Sequence, residues 1–183
     1  MKTLEQQLSQ YAAYHRDRRN IATHFFGVPM IQFSIVAAFA LVDFPVGGMT
    51  FTLGAVAALL SAIYYLRQDL AMGTAMAVLL FVFCALASEI EGRFGKGTAG
   101  AIYATLFVAG WTIQFVGHKF EGMKPAFFDD LTQLMVGPLF VCAEAFFAFG
   151  AKRDVQHYIE QRVGPTAARR DGRPLPLEPE EAR

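Results

Sequence analysis

Long apolar stretches separated by short polar connections dominate this chain of 183 residues. Each stretch is close to the roughly 17–25 residues that a helix needs to cross the hydrocarbon of a bilayer. The stretches cover residues 25–42, 51–66, 70–88, 100–116 and 131–150. Because the connections are short, consecutive helices are expected to run antiparallel. We therefore predict an all-α fold, a polytopic transmembrane helical bundle that is preceded by an N-terminal interfacial helix.

The distribution of Lys and Arg predicts the orientation, because basic residues are retained on the cytoplasmic side of a membrane. Four lie in the N-terminal segment and seven follow residue 150. With the N-terminus cytoplasmic, four full spans return the loop at 117–130 to the cytoplasmic side. A fifth full span would place the basic tail outside. We therefore favour a re-entrant fifth segment, broken near Gly137 and Pro138, and keep a spanning segment as the alternative.

Composition supports a membrane protein and limits the other classes. Charged residues make up 17% of the chain, against about 25% in soluble domains. The net charge is zero, so nothing predicts a nucleic-acid partner. We predict one membrane-embedded domain over 1–160. The Pro-rich, charged segment 161–183 has no apolar periodicity and is predicted to be a disordered polar tail.

The four histidines lie at the ends of apolar stretches or outside them. They are His15, His24, His118 and His157. His24 opens the first stretch and His118 closes the fourth, so the topology places both at the cytoplasmic boundary. His15 and His24 are nine residues apart, which puts them on opposite sides of a straight helix. Both can face one site only if the helix breaks between them, and Asn20 is a suitable N-cap for a new helix.

Carboxylates near these histidines widen the choice of metal. Neutral imidazoles with a carboxylate suit iron, zinc or copper, and many Fe(II) oxygenases use two histidines and one carboxylate. Glu121 and Glu144 are the candidate carboxylate ligands. The alternative for Glu121 is an ion pair with a nearby lysine. The alternative for Glu144, an ionisable group inside an apolar stretch, is an ion pair with an arginine from the N-terminal segment.

Three sequence blocks together resemble the Mpo1-like family, formerly a domain of unknown function. The first is Y-x3-H-x4-N-x3-H-x2-G-x-P, which begins at Tyr11. The second is GWTIQFVGHKFE at 110–121, and the third is GPLFVCAE at 137–144. The resemblance covers roughly residues 1–155, and the two histidine blocks occur in the family's order.

The resemblance implies an Fe(II)-dependent dioxygenase, and the predicted topology places its site at the cytoplasmic membrane face. It implies α-oxidation, the shortening of a 2-hydroxy fatty acid by one carbon with O2. The iron ligands it implies are His15, His24 and His118. His157 lies outside the matched blocks, and it is either a residue of the tail or a fourth ligand if the tail folds back. The catalytic residues it implies, which would orient the substrate or support the ligands, are Asn20, Gln114 and Glu121.

Two other functions use the same residues differently. A membrane zinc hydrolase would use the same histidines, because ligand type alone does not select the metal. A non-catalytic lipid-binding membrane protein would hold no metal. The chain length and the Ala- and Gly-rich composition suggest a bacterial inner membrane, or the endoplasmic reticulum if the source is eukaryotic.

Overall fold

The computed structural model describes residues 2–128 and 130–167. Of these, 79% are helical, which agrees with the predicted fold class in its main feature. The elements are α1 (Leu4–Ala12), α2 (Arg18–Ala40), β1 (Asp43–Val46), β2 (Met49–Thr52), α3 (Leu53–Gln68), α4 (Leu70–Glu121), a 3-10 turn (Ala126–Phe128), α5 (Gln133–Ala148) and α6 (Arg153–Val163). They form two compact units, Met1–Val28 with Thr112–Arg183, and Pro29–Trp111.

A break between α1 and α2 confirms that the chain does not run as one helix from His15 to His24. Its predicted position was wrong, because α2 begins at Arg18 rather than after Asn20. The side chain of Asp17 accepts a hydrogen bond from the backbone N–H of Arg19 at 2.8 Å, so Asp17 takes the capping role that was assigned to Asn20.

A β-hairpin in the second unit was not predicted, since this segment was assigned to a loop. Strands β1 and β2 pair antiparallel, with Val46 opposite Met49. The two residues between them are Gly47 and Gly48, both with positive φ (58° and 84°). A Gly-Gly pair at this position is typical of the two-residue turns that join hairpin strands, so the signal was present in the sequence.

Helix α4 is interrupted at Gly95, whose φ of 75° and ψ of 159° are not helical. The Tyr103 hydroxyl donates to the Ala87 carbonyl at 2.9 Å. In a straight helix these residues would be about 24 Å apart, so the two arms of α4 fold back on each other. The arms correspond to the third and fourth predicted apolar stretches.

The fifth predicted stretch bends at a different place from the one we expected. Helix α5 continues through Pro138, so the break predicted at Gly137 and Pro138 was wrong. The chain instead turns by 112° between α5 and α6, where Gly150 and Lys152 have positive φ. Glycine adopts this conformation without the steric cost that a side chain adds.

Among the described residues, two helices, α2 and α4, are long and apolar enough to cross a membrane, and the bent pair α5–α6 would add a third if it forms one span. Helix α3 has 16 residues, which gives it a length of about 24 Å, short of the ~30 Å hydrocarbon core. The predicted number of four full spans therefore stays a prediction. Helix α6 extends to Val163, and the predicted disordered tail lies largely outside the described residues.

Candidate metal centre

Three histidines from distant parts of the chain meet inside the first unit. His15 comes from the α1–α2 loop, His24 from α2 and His118 from the last turn of α4. One donor nitrogen from each ring lies within 4.8 Å of the other two. All three side chains are buried, with exposed fractions of 1%, 2% and 7%. The ring centroids are 4.5, 5.0 and 5.3 Å apart.

Backbone carbonyls orient two of these rings in the same way. His15 Nδ1 lies 2.7 Å from the carbonyl oxygen of Tyr11, and His24 Nδ1 lies 2.8 Å from that of Asn20. A carbonyl can only accept, so each Nδ1 carries the proton and each Nε2 keeps a free lone pair. Hydrogen bonding of the second ring nitrogen is the usual way in which proteins orient metal-binding histidines.

The unsatisfied nitrogens of the cluster fit a metal ion. His15 Nε2 and His118 Nδ1 are buried and have no hydrogen-bond partner among the described residues. Burial first, and then the imidazoles of His24 and His118, lower the pKa of His15 well below its usual range. The ring is therefore neutral at pH 7, which is the form that binds a metal. A cation here would satisfy atoms that are otherwise costly to bury.

Tyr11 packs against the histidine cluster, a role that the sequence analysis did not assign to it. Its ring stacks on His15 with centroids 4.1 Å apart and an interplanar angle of 2°. Phe140 packs against both rings, at 4.9 Å from Tyr11 and 5.8 Å from His15. Gly137 leaves room for the tyrosine, since a Cβ there would lie 3.0 Å from the Tyr11 hydroxyl. The four-residue spacing between Tyr11 and His15 was the available signal.

Glu121 is fully buried, and its carboxylate binds the loop that carries His15. The Arg16 N–H donates to both oxygens at 3.1 Å, and the Asp17 N–H donates to Oε2 at 2.8 Å. The amide of Asn20 donates to Oε2 at 3.1 Å. These contacts explain why Glu121, considered as a metal ligand from the sequence, does not join the described histidine cluster.

Helices α2 and α4 approach closely beside the cluster. A Cβ on Gly117 would lie 2.0 Å from Thr23 Oγ1 and 2.5 Å from Asn20 Oδ1. Only glycine allows this contact, as at the interfaces of membrane helices where small residues let backbones meet. Gly117 precedes His118, so the close approach brings the His118 backbone toward α2.

Glu144, the second candidate for a carboxylate ligand, instead forms the ion pair with an N-terminal arginine that the sequence analysis gave as the alternative. Arg16 Nη2 lies 3.4 Å from Glu144 Oε1, and the arginine is 3% exposed. The same guanidinium donates to the carbonyls of Ala12 and His15 through Nε, both at 3.0 Å. Arg16 therefore helps to hold the loop, a role that the sequence analysis did not assign to this residue.

The chain after α6 also contacts this loop. The Ala167 N–H donates to the Arg16 carbonyl at 2.9 Å, and the Arg18 N–H donates to the Ala167 carbonyl at 3.3 Å. The Gly164 carbonyl accepts from Arg16 Nη1 at 3.3 Å. Residues 164–167 thus also support the His15 loop.

The structure does not bring His157 to the three-histidine cluster. Val155, Ile159 and Val163 form the buried face of α6, and His157, two residues from Val155 and Ile159, is exposed. Gln114, in contrast, is 5% exposed. It lies one helical turn before His118 on the same face of α4.

Comparison with known proteins agrees with this arrangement of residues. The profile of the Mpo1-like family, described as "2-hydroxy-palmitic acid dioxygenase Mpo1-like", matches residues 1–149. The chain is 33% identical over 164 residues to the 2-hydroxy-palmitic acid dioxygenase MPO1 of Saccharomyces cerevisiae. That alignment covers 86% of this chain and 90% of the yeast protein. No solved structure matches the chain.

Proposed function

Because the chain belongs to the Mpo1-like family, we propose that it is an Fe(II)-dependent dioxygenase that shortens 2-hydroxy fatty acids by one carbon. The observation that carries this proposal is the buried cluster of His15, His24 and His118. Three neutral imidazoles suit iron, although ligand type alone would also accommodate zinc or copper. The dioxygenase activity named for the yeast relative supports oxygen chemistry at this site. Oxygen chemistry in turn favours iron over zinc, because zinc has no redox chemistry.

The proposed roles of the residues follow from their contacts. His15, His24 and His118 hold the iron, and the carbonyls of Tyr11 and Asn20 keep two of the rings in the binding tautomer. When bound, Fe(II) supplies the electrons that start the reduction of O2. An ion held by these three histidines would still be able to bind the substrate, whose carboxylate and 2-hydroxyl offer two neighbouring oxygen donors.

The proposed reaction balances without an external reductant. One 2-hydroxy acid and one O2 give the acid with one carbon fewer, CO2 and water. The bond between C1 and C2 breaks, and C2 is oxidised to the new carboxyl carbon. The protein is therefore expected to need neither a nicotinamide nor a 2-oxo acid as a second substrate.

Apolar surface surrounds the buried cluster on the helices that carry it, which supports a lipid substrate. Phe26 is 69% exposed, two residues from His24, and Phe115 and Phe120, on either side of His118, are 46% and 40% exposed. We propose that these helices lie in the membrane, that the acyl chain remains in the apolar region and that the head group reaches the cluster. We place the site at the cytoplasmic face, in a bacterial inner membrane or the endoplasmic reticulum.

The test is metal content together with oxygen uptake by the purified, detergent-solubilised protein. We expect bound iron, and O2 consumption with 2-hydroxypalmitate that a chelator abolishes and Fe(II) restores. His24→Ala is expected to lose both properties. His157→Ala is the matched control, because His157 lies outside the cluster, and it is expected to keep both.

Three results would contradict the proposal. A protein that binds only zinc and hydrolyses an ester would favour the hydrolase. A protein that binds lipid but no metal would favour a non-catalytic role. Equal losses of iron in the His24 and His157 variants would show that the histidine cluster is not the metal site.

A further inference from the structure

Three polar side chains near the histidines were grouped together by the sequence resemblance, but their contacts differ. Asn20 is fully buried, and its amide nitrogen donates to Glu121 at 3.1 Å. Its amide oxygen lacks a hydrogen-bond partner among the described residues, but it is the atom that faces Gly117, where a Cβ would lie 2.5 Å away. Asn20 is therefore closed off by α4 and has no room for a ligand on that side.

The carboxylate oxygens of Glu121 are likewise occupied by hydrogen bonds from the protein. Its two oxygens accept hydrogen bonds from the backbone of Arg16 and Asp17 and from the Asn20 amide. A carboxylate that already accepts these bonds positions the His15 loop rather than meeting a substrate.

Gln114 is the third of these side chains. It is 5% exposed, and its amide oxygen is buried with no hydrogen-bond partner among the described residues. A buried, unsatisfied amide is costly and calls for an explanation. Its place one turn before His118 on α4 puts it on the face that carries the metal-binding imidazole.

We propose that Gln114 binds the polar head of the substrate and distinguishes a 2-hydroxy acid from an ordinary fatty acid. A carboxamide offers an acceptor and a donor side by side. A 2-hydroxy acid presents the complementary pair, because its hydroxyl donates and its carboxylate accepts. The inference rests on the proposed function for the identity of the ligand, and it assigns substrate contact to one of the three residues.

The test compares binding of 2-hydroxypalmitate and palmitate to the iron-loaded protein without oxygen, so that no turnover occurs. The wild type is expected to prefer the hydroxy acid. Gln114→Leu, which keeps the volume and removes the polar atoms, is expected to reduce this preference on the order of tenfold, the effect of about one hydrogen bond. Binding of palmitate, which shares only the contact to the carboxylate, should weaken less than binding of the hydroxy acid, and iron content should stay close to wild type.

The matched control is Gln133→Leu. Gln133 is also a buried glutamine of the same unit whose amide oxygen has no partner within the described part of the chain. It lies on α5, and its nitrogen donates to Asp130. This variant should keep the preference for the hydroxy acid. Gln114→Asn, which withdraws the amide by one methylene, gives a second measurement if the leucine variant fails to fold, and the same loss is expected.

The outcomes separate the two proposals. A wild type that binds both acids equally, or a Gln114 variant that keeps the full preference, would overturn the role of Gln114 whether or not the protein consumes oxygen. A wild type that shows the Gln114-dependent preference but consumes no oxygen when O2 is supplied would support the subsite and contradict the dioxygenase.

Discussion

Replacing Glu121 by glutamine should loosen the loop that carries His15. The carboxylate joins the end of α4 to residues more than a hundred positions earlier, through the N–H groups of Arg16 and Asp17 and the amide of Asn20. These donors are buried, so they lose water when the protein folds, and Glu121 is the acceptor that they share. The Asn20 amide has a second, longer contact with the Tyr14 carbonyl at 3.5 Å.

The magnitude follows from the three donors. Hydrogen bonds to a charged acceptor contribute about 1.5–3 kcal/mol and bonds to a neutral one about 0.5–1.5 kcal/mol. Glu121→Gln keeps the shape and removes the charge, so each donor loses about 1 kcal/mol. The free energy of unfolding should therefore fall by about 3 kcal/mol. Loss of a group that orients a metal ligand typically lowers metal affinity by about 10- to 100-fold.

The assay is competition between the protein and a chelator for Fe(II) or Zn(II), with chemical unfolding measured on the same samples. Glu89→Gln is the matched control, since Glu89 is an exposed glutamate on the same helix and loses the same charge. It should keep wild-type affinity. The reasoning about the loop would be refuted if Glu121→Gln bound metal within about twofold of the control.

Two further perturbations act on the same centre. Gly117→Ala should separate helices α2 and α4, because the added Cβ would lie 2.0 Å from the Thr23 hydroxyl. We expect thermal unfolding to show about 1–3 kcal/mol of destabilisation, and a metal titration to show weaker binding. Gly97→Ala, with open space around its Cβ on the same helix, should be neutral or stabilising, and equal effects of the two changes would contradict the packing argument. Truncation after Val163 should weaken metal binding, whereas truncation after Ala167 should not, and identical affinities would show that the tail does not support the loop.

The sequence predicted the meeting of distant histidines but not how they are held. Helical spacing required a break between His15 and His24, and the break exists. It falls earlier than expected because both Asp17 and Asn20 can cap a helix, and local pattern does not choose between them. The choice is made by Glu121, far along the chain, which binds the Asn20 side chain.

Turns were the least predictable part of the fold for a related reason. Pro138 was expected to break α5, but a single missing N–H is tolerated where the packing of a helix supports it. The bend occurs instead at Gly150 and Lys152. The unpartnered amide oxygen of Gln114 also could not be predicted from the sequence, because whether a polar side chain has a partner depends on every neighbouring element.

The central claim is that the three-histidine site drives oxygen-dependent shortening of a 2-hydroxy fatty acid. Its most direct test is the stoichiometry of O2 consumed, pentadecanoate formed and CO2 released when iron-loaded protein is given 2-hydroxypalmitate, beside His118→Ala at the same protein concentration. The account predicts equal amounts of all three with the wild type and none with the variant. Oxygen uptake without a shortened acid, or full product from the His118 variant, would contradict it.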